Sequence, residues 1–99
     1  MNMQALMQQA KKMQRDMEKA KNEVEEMTFS GKSALVEVEV SGKRQLTKLT
    51  ILDKESLEKD DFDMLEDMII VAANEALKKA DETMNEKMGK MAPNFPGLF

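Results

Sequence analysis

The sequence predicts an α+β fold of two layers, with a long amino-terminal helix, a three-stranded antiparallel meander and a long carboxy-terminal helix. Three patterns carry that prediction. Met3, Leu6, Ala10, Met13, Met17, Ala20, Val24 and Met27 recur at alternating spacings of three and four, with no Gly or Pro between them. That is an unbroken seam of heptad a and d positions, which marks an amphipathic helix. Leu35 to Val40 then alternates with a period of two, as a half-buried strand does, and a helical spacing returns from Phe62 onward.

The first helix is expected over residues 2–26. Nearly all of its residues are strong helix formers, and at about 1.5 Å per residue it spans close to 40 Å. Strands are expected within residues 28–52. Thr28 to Ser30 is a short strand, Gly31-Lys32-Ser33 a turn, and Leu35 to Val40 the second strand with Val36, Val38 and Val40 on one face. Ser41-Gly42-Lys43 reads as a hairpin turn in which Gly42 is free to take a positive φ. Gln45 to Leu52 returns, with Thr47, Leu49 and Ile51 on its inner face. A polar connection with one helical turn near Glu55–Leu57 precedes the second helix, expected over residues 61–89. Asp60 or Asp61 caps that helix and Gly89 ends it. Phe62, Leu65, Met68, Ile69, Ala72, Ala73, Ala76, Leu77 and Ala80 form its apolar stripe. Residues 1–91 thus make a single domain, and Ala92 to Phe99, with Pro93 and Pro96, make an extended tail.

Composition removes most chemistry. The 99 residues include no Cys, no His and no Tyr, so Ser–His and Cys–His arrangements and thiolate metal sites are excluded. Acidic neighbours such as Asp60/Asp61 and Glu66/Asp67 sit at a helix start, where capping accounts for them. The four glycines are isolated rather than gathered into a phosphate loop. No enzyme activity, cofactor, metal or small-molecule substrate is expected. Neither a secretory leader nor a membrane span is visible, the longest apolar run being Met68 to Ala73, which predicts a cytoplasmic protein.

Length argues for self-association. A chain this short buries a modest core. Strands of this length span about 20 Å, so two helices of about 40 Å cannot both lie over the sheet. The surplus of the first helix carries Met3, Leu6, Ala10, Met13 and Met17, and that strip is expected to be the interface of a homodimer. The alternative is an intramolecular hairpin of the two helices beside the sheet. Met at heptad spacing is read as core filler rather than as a soft-metal site.

The net charge of −4 hides an asymmetry. Residues 1–22 carry five basic and two acidic side chains, a net of +3, whereas residues 23–99 carry ten and seventeen, a net of −7. Lys11, Lys12, Arg15 and Lys19 fall on the helix face opposite the apolar seam, and Lys78 and Lys79 add basic charge from the second helix. Such a stripe suits the phosphates of duplex DNA, and two copies double the contact. The competing reading is a solvated surface face. No aromatic residue is interleaved with the stripe, so stacking on single strands has no support.

Three blocks together resemble the bacterial YbaB/EbfC nucleoid-associated proteins across essentially the whole chain. They are the opening helix Met3 to Gln14, the run Asp63-Met64-Leu65-Glu66-Asp67 through Ala72-Ala73-Asn74-Glu75-Ala76-Leu77-Lys78-Lys79, and Pro96-Gly97-Leu98-Phe99. The resemblance implies a tweezer-like α/β homodimer with a central sheet and protruding helices, binding duplex DNA in the nucleoid with an architectural or regulatory role. The chain departs from the family pattern before the second strand, where Gly31-Lys32-Ser33-Ala34 holds one glycine instead of a glycine-rich loop. The rival expectation is a non-enzymatic adaptor that docks DNA-repair or replication proteins through its Met-rich helix ends and the apolar Phe95, Leu98 and Phe99.

Overall fold

Val36, Val38 and Val40 occupy alternate positions of one strand and are wholly inaccessible to solvent. They lie in the central strand of the sheet, and everything else is arranged on them. The computed structural model describes residues 2–91. Its elements are α1 (Met3–Glu25), β1 (Thr28–Ser33), β2 (Val36–Ser41), β3 (Leu46–Ile51), two short 3₁₀ turns (Lys54–Ser56 and Lys59–Asp61) and α2 (Phe62–Met91). The sheet is antiparallel in the order β1-β2-β3. The expected α+β architecture, helix–meander–helix, is what the chain adopts.

The valines are covered by α2 through Ala72, Ala76 and Ala80, all buried. These small residues, four apart, let the helix axis come close to the sheet. Gly31 completes the approach: a Cβ there would collide with the Ala72 carbonyl oxygen and lie 2.8 Å from the Ala76 nitrogen. Gly31 was expected in a turn and lies instead inside β1, because its value is its missing side chain beneath α2. The turn falls at Ala34 and Leu35, where Ala34 takes a left-handed φ of 47°. That is the geometry a two-residue hairpin requires.

Gly42 is a second correction. It keeps an ordinary φ, and the left-handed residue of the β2–β3 connection is Arg44, at 66°. Gly42 is needed because the end of α1 presses on it. Its N–H donates to the Met27 carbonyl at 3.0 Å, and a Cβ there would strike the Val24 carbonyl. The register pairs Val36 with Ile51, Val38 with Leu49 and Val40 with Leu46, with an irregularity between Glu39 and Val40. Leu46 therefore takes the place expected for Thr47, whose hydroxyl donates to the Glu39 carbonyl at 3.2 Å.

The 3₁₀ turn that leads into α2 has Glu58 as its N-cap, and the expected Asp61 takes part in the cap from the third position. Glu58 and Asp61 form a reciprocal capping box, in which the Glu58 N–H donates to Asp61 Oδ2 at 3.0 Å. The expected helical turn near Glu55 is the 3₁₀ turn Lys54–Ser56. At its far end α2 runs through Gly89 to Met91 instead of stopping. An interior glycine costs about 1 kcal/mol relative to alanine, less than the helix needs to break, and Lys90 pairs with Glu86 across that last turn. The expected extended tail, residues 92–99, lies outside the described residues.

Two substitutions test this reading of the glycines. Gly31→Ala should lower stability by about 2–3 kcal/mol, since backbone rather than a flexible side chain must yield. Gly89→Ala has open space around it and should raise stability by about 0.5–1 kcal/mol. Urea midpoints at one fixed protein concentration would show both.

Candidate nucleic-acid interface

The α1 seam is buried at only one end. Val24 is wholly inaccessible and Ala20 nearly so, Met17 and Met13 are half-buried, and Ala10 is exposed, while Leu6 is 43% and Met3 73% exposed. The cause is topological. α1 descends to the sheet and α2 leaves it, so the helices meet antiparallel along the second half of each, with Lys87 Nζ 3.1 Å from Glu23 Oε2. Lys90 shares the same cleft with Asp16 and Lys19. Beyond the end of α2 at Met91, no other described element lies against the first turns of α1. The chain spans 71 Å in its longest dimension, with a radius of gyration of 19.7 Å, where a globular chain of this length has about 13 Å.

This arrangement sorts the expected DNA-binding residues into two groups. Lys11, Lys12, Arg15 and Lys19 are all exposed on α1, Lys19 at the edge of the cleft with α2. Among the described residues none of the four, nor Lys21, is engaged in an ion pair, although Glu18 lies beside Lys11 and Arg15. Lys78 and Lys79 are not brought to that stripe. Lys78 lies 3.9 Å from Glu82. Lys79 pairs with Glu75 at 3.3 Å and donates to the Ser30 carbonyl at 2.8 Å, fastening β1 to α2 at the sheet end of the molecule. The acid-rich stretch 53–67, with eight carboxylates against Lys54 and Lys59, lies at the far end of α2. Positive charge is thus at one pole of the long axis and negative charge at the other.

The residues expected at a dimer interface are also divided. Met3 stands open, whereas Leu6, Ala10, Met13 and Met17 line one groove with Met88 of the same chain, Met13 and Met17 being half-buried there. The structure bares a second apolar surface that sequence reasoning missed. α2 lies over β1 and β2 and leaves β3 uncovered. Leu46 (52%) and Leu49 (43%) are consequently exposed on the same side of the sheet as the buried valines. Arg44, at the β2–β3 connection, donates to both carboxylate oxygens of Asp81. This fixes which flank of α2 faces β3. Ile70, three turns before Asp81 on that flank, is 58% exposed. The signal was present in the alternation of Leu49 and Ile51, but it could be read only once the helix covering the sheet was placed.

The family model for the YbaB/EbfC DNA-binding family matches residues 1–95. The chain belongs to that family. Among its relatives, a nucleoid-associated protein of Ligilactobacillus salivarius is 39% identical over 99 residues, covering 99% of this chain and 95% of the relative. One from Streptococcus thermophilus is 41% identical over 98 residues, covering 97% and 98%. The fold is also that of an uncharacterised protein from Helicobacter pylori, known from its crystal structure, with a TM-score of 0.75 at 19% identity over 92% of this chain and 97% of that one. Among the described residues of this YbaB/EbfC protein, no helix is long and apolar enough to cross a membrane.

The two groups of lysines should separate on substitution. Lys79→Ala removes a charge-assisted bond between α2 and β1 and should cost about 1 kcal/mol in a urea titration. Lys12→Ala, with no partner to lose, should leave the midpoint within about 0.5 kcal/mol of the parent.

Proposed function

We propose that this YbaB/EbfC protein acts without enzymatic chemistry as a homodimer that binds duplex DNA in the nucleoid of the cytoplasm, with an architectural or regulatory role. The observation that carries the reading is the unpaired basic face of the projecting α1. Lys11, Lys12, Arg15 and Lys19 recur along about 12 Å of helix. A spacing of this kind suits a row of phosphates and reads no base edge, so binding should be weakly selective for sequence. The acidic opposite pole repels DNA and orients the molecule with its helix arms towards the duplex.

Dimerisation is supported by what one chain leaves uncovered. The wholly inaccessible side chains are nothing larger than valine. Meanwhile Leu46, Leu49 and Ile70 expose an apolar face beside that core. A second copy seated there would extend the core and hold two α1 arms on one particle. The strip of Met3, Leu6 and Ala10 offers a further apolar surface at the tip of each arm.

Lys11→Glu combined with Arg15→Glu should weaken duplex binding in a gel-shift titration while sedimentation still reports a dimer. The slope of log affinity against log salt should flatten by about 2 per protomer engaged. Parent-like binding by the double variant would remove the basic face from this reading. Leu49→Glu should instead lower the sedimenting mass towards that of one chain. Capture of a protein that survives nuclease, with no DNA shift at low salt, would favour an adaptor.

A further inference from the structure

The groove on the methionine side of α1 measures about 580 Å³ and is walled by Leu6, Ala10, Met13 and Met17, with Met88 as the contribution of α2. Met88 closes it where the two helices run together, and it continues to Leu6 towards the α1 tip, where no other described element of the chain lies against it. We propose that residues 92–99 of the same chain occupy this groove, setting Phe95, Leu98 and Phe99 against the methionines.

Three observations support this occupant. The first is position. α2 runs antiparallel to α1 and ends at Met91, one turn past the groove residue Met88 and level with the cleft that Lys90 shares with Asp16. A chain that continues in the same direction meets the rest of the seam. The second is reach. From Met13 back to Met3 is ten residues of helix, about 15 Å, whereas eight residues extend to about 26 Å. The third is chemistry. Pro93 and Pro96 do not continue a helix, and between and beyond them the segment carries two of the four phenylalanines of the chain and no charged side chain. Aromatic rings and thioethers make favourable sulfur–aromatic contacts, and methionine adapts to an irregular ligand. With the segment in place, α1 would present a covered apolar side and an open basic side. This does not depend on the DNA reading.

Because the chain has no cysteine, paired substitutions give an unambiguous test on the full-length protein. Ala10→Cys lies in the groove, and Gln8→Cys lies on the opposite face of α1; each is combined with Leu98→Cys. Under mild oxidation the groove pair should close a disulfide within one chain roughly tenfold faster than the control pair, as its higher effective concentration requires. Equal rates, or a disulfide formed mainly between chains, would overturn the proposal; the latter would make the groove a seat for a second copy. An independent readout uses Phe99→Trp, the sole tryptophan of such a protein. Its emission should be blue-shifted from that of hydrated indole and should move red when Met13→Lys is added. Emission at the hydrated position from the outset, or unmoved by Met13→Lys, would count equally against it.

Discussion

The contact between the valine face of β2 and the alanine row of α2 is the constraint on which the rest depends. Val36, Val38 and Val40 present branched side chains at every second residue, and Ala72, Ala76 and Ala80 meet them with one methyl each. Packing at that short range requires that nothing stand between helix and sheet, which is why Gly31 lies under α2. It also limits how much of the sheet one helix can cover. A helix seated tightly over β1 and β2 cannot reach β3, so the bare leucines of β3 follow from the closeness of the core contact rather than from a packing defect.

Small size and tight packing together account for the shape of the molecule. α2 has 30 residues, about 45 Å at its rise per residue, and the sheet occupies only its first part. The remainder serves as a support for the second half of α1, held by Val24, Ala20 and the Lys87–Glu23 pair near the base and by Met17 and Met13 against Met88 farther out. Beyond Met13 no other described element lies against α1. The two ends of the molecule therefore divide the work: side chains at the sheet end secure the fold, as Lys79 and Arg44 do, and among the described residues Lys11, Lys12, Arg15 and Lys19 of α1 form no ion pair. Lysines of identical chemistry acquire different roles from their place along one axis.

Much of this was legible in the sequence. The heptad seam, the alternation of β2 and the returning helical period gave the order and kind of every major element, because each rests on a periodicity that burial enforces. What escaped was set by the distance between elements. Gly31 and Gly42 read as turn residues when their purpose is to let a helix or a helix end approach. Gly89 read as a terminator, yet it tolerates helical geometry where nothing crowds it. Lys78 and Lys79 read as basic charge added by the second helix, and their distance from the α1 stripe was not legible because sequence records charge but not the direction in which a helix carries it. The apolar face formed by β3 and Ile70 depended on which strands α2 covers, and no local pattern encodes that.

The graded burial of the α1 seam has a mechanical consequence. Among the described residues α1 is clamped near Val24 and uncovered at its tip, and outer turns so placed open at lower free energy than those near the clamp. In the proposed dimer, two such rods on one particle would not need to hold a fixed angle. Their span can adjust to the width and curvature of whatever lies between them, at a cost set by the soft outer turns and not by the core.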